Sequence, residues 1–227
     1  MGIDISAERE IRFNADHERR IITAVRKNPK ITIIGTHPGI TVYSIYQRTK
    51  FGDTDRDGNP LIYSLKGINN YTITNKEFYK FKSSFIIILN KIKQTIPDLN
   101  YFLIAMPSSS AVLVQFTKKI ARRFGILMYT NCFIKQTVSE VITHYHTYAP
   151  DVKPTHRKAI HRTLSELQRL PVNTIFSIKR VPNKIRHYFS PRKLNPDFNY
   201  NQLNNSEIIL VDDLLSTGTT LIAAAGE

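Results

Sequence analysis

The stretch from Glu207 to Leu221 constrains this chain more than any other. Ile208-Ile209-Leu210-Val211 is an unbroken apolar run, and Asp212 and Asp213 follow it directly. After Leu214 and Leu215 come the small residues Ser216-Thr217-Gly218-Thr219-Thr220, and a second apolar run begins at Leu221. Four apolar residues in succession predict a strand covered on both faces, the pattern of a parallel sheet flanked by helices. Ligands of open α/β sheets sit at the carboxyl ends of such strands, so the two acids face a crevice. The small residues let the backbone close around a phosphate, whose charge is favoured by free N–H groups and the dipole at the start of the following helix. A Walker loop is excluded, since no GxxxxGK[ST] pattern is present. A receiver domain would need about a hundred further residues beyond its acid pair, whereas this chain ends at Glu227.

The remaining pattern fits one α/β core with an extension. The chain has 227 residues, 41% of them hydrophobic, enough for one sizeable core and short for two independent ones. Residues 5–28 are charged with sparse apolar positions and predict one or two short amphipathic helices, an N-terminal helical extension over residues 1–30. Ile31 to Ile34 and Thr41 to Tyr46 alternate as a β-hairpin around His37-Pro38-Gly39. Asp53 to Asn59 opens like a calcium loop, but position 12 is Ser64 and Pro60 breaks the run, so a polar turn is expected. Leu61 to Lys66 predicts a short helix closed by Gly67. Phe78 to Lys93 reads as a helix, Tyr101 to Met106 as a buried strand, Pro107 to Ser110 as a turn and Ala111 to Phe124 as a helix stopped by Gly125. Strand, serine-rich turn and helix make a βα unit. A further strand is expected over Ile126 to Phe133, and residues 134–205 mix a helix near Lys158 to Leu170 with loops.

Charge is unevenly distributed. The chain carries 32 Lys and Arg against 18 Asp and Glu, a net charge of +14. Residues 153–193 hold eleven of those cations and one acid, Glu166. A solvated helix face normally mixes signs, so this bias points to an anionic ligand, a polyphosphate or the backbone of RNA or DNA. Tyr188 and Phe189, between Arg186 and Arg192, are placed to stack on bases. His144 and His146 would share one side of an extended segment, but no third ligand is in sight and a loop is expected. The lone Cys132 has no disulfide partner and reads as packing. No apolar run is long enough to span a bilayer and the start lacks a signal-peptide pattern, so the expectation is a cytoplasmic protein with no membrane partner.

The segment Glu207 to Leu221 resembles the PRPP-binding signature of type I phosphoribosyltransferases, which runs as apolar residues, two acids, three variable residues, then Thr-Gly-x-Thr or Ser. The ComF-like branch of that family is similar over about residues 40–227, with Leu61-Ile62-Tyr63-Ser64-Leu65-Lys66 standing for its early LIxxLK segment. The branch's zinc ribbon is absent, since one cysteine cannot build it. The resemblance implies an α/β fold over residues 31–227, a parallel-sheet, Rossmann-like type I phosphoribosyltransferase core with a basic hood and the N-terminal helical/β extension. The family continues past the signature helix into another strand, so a fragment is one expectation for a chain ending at Glu227.

By the same resemblance Asp212 and Asp213 are the catalytic residues, holding the ribose hydroxyls and helping to place Mg²⁺ through water. Ser216, Thr217, Gly218, Thr219 and Thr220 would hold the 5′-phosphate of 5-phosphoribosyl-1-pyrophosphate (PRPP). Ser108, Ser109 and Ser110, in the turn after the first core strand, would hold pyrophosphate. Arg157, Lys158 and Arg162, or else Arg186 and Arg192, would neutralise the leaving group. The implied reaction displaces pyrophosphate from PRPP by an unidentified, nucleobase-like acceptor. The alternative is an effector or sensor that keeps the fold and binds nucleic acid through residues 153–193, as ComF-like domains beside reverse transcriptases do in retron-type antiphage defence. Acceptor, general base and oligomeric state are not legible.

Overall fold

The computed structural model describes residues 1–35, 39–49, 59–108, 111–148, 151–213, 215 and 218–225. The chain is mixed α/β and divides into two compact units, Met1–Met128 with Asn205–Leu215, and Tyr129–Asn204 with Ser216–Glu227. No helix among the described residues is long and apolar enough to cross a membrane.

The first unit opens with strands where helices were expected. β1 (Gly2–Ile5) pairs antiparallel with β2 (Glu10–Asn14), setting Ile3 opposite Phe13 and Ile5 opposite Ile11. The reason is a period of two. Ile3 and Ile5 alternate with Asp4, and Ile11 and Phe13 with Arg12, which suits one covered sheet face and leaves no helical stripe. β3 (Ile21–Ile22) pairs with β6 (Gln47–Arg48). Between them β4 (Lys30–Ile34) and β5 (Ile40–Ser44) pair antiparallel as the expected hairpin; residues 36–38 lie outside the described residues.

Helix α1 (Pro60–Lys66) is defined at both ends. Asn59 Oδ1 accepts from the Leu61 and Ile62 N–H groups, Pro60 takes the first helical position, and Gly67 closes the helix in the left-handed region at φ 63°. Leu61 is buried with Ile3, Ile11, Ile21 and Phe81, which fixes α1 against the N-terminal strands. β7 (Thr72–Ile73) joins β2 in parallel. The single helix expected over 78–93 is two, α2 (Asn75–Tyr79), capped by Thr74, and α3 (Lys82–Thr95).

The βα unit forms as expected. β8 (Tyr101–Ala105) leads to α4 (Ala111–Phe124), and Gly125 follows at φ 76°. The strand expected over 126–133 is only β9 (Met128–Tyr129), and β10 (Phe133–Lys135) is separate. β12 (Glu207–Val211) lies parallel to β8 in a three-stranded sheet of order β12-β8-β9, with Val211 opposite Ala105. Leu103, Ile104, Ala105 and Met106 are buried, so β8 is the covered strand. β12 was expected to be covered on both faces and is not. Ile209 and Val211 pack on the core of Ile88, Leu103 and Ile120, whereas Ile208 is 45% exposed on a strand that, among the described residues, pairs with β8 alone.

In the second unit β10 pairs antiparallel with β11 (Arg192–Leu194). Residues 138–148, read as loop, form helix α5 (Val138–Tyr148). Its start is a reciprocal capping box, in which the Thr137 N–H donates to Glu140 Oε2 (2.8 Å) and the Glu140 N–H to Thr137 Oγ1 (3.3 Å). Helix α6 (Pro154–Gln168) falls near the expected place, and α7 (Thr219–Ala225) follows Gly218. Val138, Val141, Ile160, Leu164, Ile185 and Phe189 lie in one core.

Candidate functional site

Parallel pairing brings two of the expected loops to one edge of the sheet. Because Val211 stands opposite Ala105, the residues that follow each strand leave on the same side, Asp212-Asp213 from β12 and Met106-Pro107-Ser108 from β8. The ladder runs one step past the strand, with the Met106 N–H donating to the Val211 carbonyl at 2.9 Å. The Asp213 N–H donates to Asp212 Oδ1 at 2.8 Å, which fixes the first carboxylate against the backbone of the second.

Lys66, in the last turn of α1, forms an ion pair with Asp213 through Nζ and Oδ2. The two side chains are only 17% and 12% exposed. The Asn59 cap and the Gly67 stop set the register of α1, burial of Leu61 sets its rotation, and both deliver the lysine to the second acid. Within the first unit the arrangement is therefore two adjacent carboxylates, one held by a backbone N–H and one by an ammonium, at the carboxyl ends of parallel strands. Such a cluster can accept hydrogen bonds from hydroxyl groups and offers hard oxygen donors.

Ser109, Ser110, Ser216 and Thr217 lie outside the described residues, as does the calcium-like run Asp53 to Gly58. Gly218, Thr219 and Thr220 belong to the second unit. Gly218 is buried at φ 75°, a conformation that favours glycine, and its carbonyl accepts from the Ile222 N–H at 2.9 Å in the first turn of α7.

Two readings within residues 134–205 change. His144 and His146 are on helix α5, where a two-residue step turns about 200°, so they do not share a side. No group of three or more metal-ligating side chains occurs among the described residues. Tyr188 and Phe189 are 9% and 1% exposed and belong to the core, with Phe189 stacked on Tyr145 at 5.4 Å, so neither is a platform for bases. Arg186 donates from Nε to the Val181 carbonyl at 2.9 Å, just ahead of its 3₁₀ turn, and Arg157, Lys158 and Arg162 are exposed on α6.

The second unit also holds a cavity of about 280 Å³ that the sequence did not announce, with Tyr145, His187, Phe189, Ser190 and Thr219 among its walls. Burial holds the His187 imidazole below its ordinary value, helped by His156 and Lys153. Cys132 is buried and its thiol is pushed up to about 11 by desolvation, consistent with packing. Compared with known proteins, the chain matches no family model, no curated protein and no solved structure.

Proposed function

We propose that this chain is a PRPP-binding phosphoribosyltransferase that uses the segment Ile208 to Leu221, with a nucleobase-like acceptor. The observation that carries this reading is the acid pair at the carboxyl end of a parallel strand, beside the turn after β8 and anchored by Lys66. In the proposed reaction the acceptor forms a bond to the anomeric carbon while the bond from that carbon to pyrophosphate oxygen breaks, the electron pair leaving with pyrophosphate. Asp212 and Asp213 would accept hydrogen bonds from the ribose hydroxyls and lie near positive charge that develops on the sugar.

The acid pair also suits Mg²⁺, which takes one or two carboxylates and completes its shell with water and substrate phosphates. Asp212 and Asp213 would hold it, and its contribution would be to neutralise the pyrophosphate leaving group. Lys66 would position Asp213.

The test is calorimetric titration of the chain with PRPP and Mg²⁺, beside Asp212→Asn/Asp213→Asn, at a salt concentration that suppresses loose polyanion binding. Saturable binding that disappears in the variant is the expected result and would justify an acceptor screen. Absence of saturable binding to the unaltered chain would overturn the proposal.

A further inference from the structure

Helix α6 separates its side chains sharply. Ile160, Leu164 and Leu167 are buried in the core of the second unit, as is Thr163, whose hydroxyl donates to the Ala159 carbonyl at 2.9 Å. On the opposite side Lys158, Arg162 and Arg169 follow one another at i, i+4 and i+11, a single stripe at helical spacing, flanked by Arg157 and His161. All five are exposed. The stripe meets one acid, Glu166, which accepts from Arg162 Nε at 2.8 Å; both partners of that pair are more than half exposed, so the contact is weak.

From Lys158 to Arg169 the stripe is about 16 Å long, on the order of five base-pair steps of duplex. A solvated helix face ordinarily interleaves acids with its bases at i, i+4, because such pairs stabilise it and like charges at that spacing destabilise it. Here Lys158 and Arg162 set like charges at that spacing and only Glu166 offsets the stripe, a repulsion that an array of phosphates would relieve.

We propose that the exposed face of α6 docks the sugar-phosphate backbone of a double-helical nucleic acid, without reading its sequence. The preference for duplex over single strand follows from what the face lacks. Proteins that hold single strands combine cations with aromatic platforms for unstacked bases. The described exposed positions of α6 carry no Phe, Tyr or Trp, and the aromatic residues nearest in sequence to the later arginines, Tyr188 and Phe189, are core. Without Phe, Tyr or Trp among them, the cations of this face are set to contact phosphates.

The experiment is fluorescence anisotropy of the full chain with a labelled DNA duplex of about 20 base pairs, longer than the stripe, and with one of its strands, across a salt series. Lys158→Gln/Arg162→Gln/Arg169→Gln removes three charges from the stripe. Lys76→Gln/Lys118→Gln/Arg122→Gln removes three exposed charges from α2 and α4 of the first unit. The α6 triple is expected to weaken duplex binding at least about tenfold near 0.1 M salt and to reduce the slope of log K against log salt by about 3, one unit per lost phosphate contact. The first-unit triple is expected to leave both nearly unchanged, and melting of both variants checks that each is folded. Equal losses in the two triples, tighter binding of the single strand, or no duplex binding by the unaltered chain would each overturn the proposal.

Discussion

Lys66 and Asp213 offer a quantitative test of whether α1 and the acid pair form one device. An exposed ion pair contributes about 0–1 kcal/mol, whereas removing one partner of a fully buried pair costs about 3–5 kcal/mol. With side chains 17% and 12% exposed, this pair lies between those limits. The expected coupling is about 1–2 kcal/mol, read from a double-mutant cycle of Lys66→Met, Asp213→Asn and the double variant. Both replacements keep the shape of the side chain and remove its charge, so packing of Leu61 and the Asn59 cap stay intact. In urea unfolding at neutral pH each single variant should lose stability, and the double variant should lose less than the sum of the two. In thermal melts each 1 kcal/mol corresponds to about 2–4 °C for a chain of this size. Losses that add within about 0.5 kcal/mol would show that the two charges do not interact, and would remove Lys66 from the site.

Two further outcomes follow from the second unit. Hydrogen bonds from Lys193 and from the Thr137 backbone hold the Glu140 carboxyl below its ordinary value near 4.5. A depressed carboxyl stabilises the fold above its unfolded value, and that contribution disappears as pH falls through the lower folded value. Melting temperatures measured downward from pH 6 should therefore fall more steeply below about pH 4.5 in the unaltered chain than in Glu140→Gln, which starts lower; parallel curves would refute this. Phe189→Ala should cost about 3–5 kcal/mol in chemical denaturation, because a buried ring is lost from the core, and a cost under about 1 kcal/mol would return Phe189 to the surface.

Legibility in the sequence tracks how local the determinant is. Helix α4 is readable to the residue, since its apolar spacing and Gly125 lie within one window, and α1 nearly so, through Gly67, with Pro60 taking the first helical position instead of only breaking the preceding run. The N-terminal strands were misread because Ile3 and Ile5 find Phe13 and Ile11 only after the chain has turned, and charged neighbours masked the period of two. Helix α5 carries a local signal in Thr137-x-x-Glu140 with apolar residues at Val138, Val141 and Tyr145, which the neighbouring histidines and cations mask. Asp212 and Asp213 stood out as an acid pair after an apolar run. Their partner did not, because Lys66 lies far away along the chain and only the fold joins them. Aromatic residues between arginines look like a nucleic-acid motif in one dimension, and burial in three dimensions made Tyr188 and Phe189 packing instead.

The edge position of β12 has a consequence for motion. To leave the sheet β8 must break ladders with both β12 and β9, whereas β12, among the described residues, is tied to β8 alone. Opening free energies vary across a fold, and strands with fewer partners and exposed faces occupy the lower end. The acids are thus carried by the strand with fewer ladder partners among the described residues, and that strand is expected to open more readily than β8. Amide exchange should be faster along Ile208 to Val211 than along Phe102 to Ala105, and whatever binds the two carboxylates would be felt first as slower opening of that outer strand.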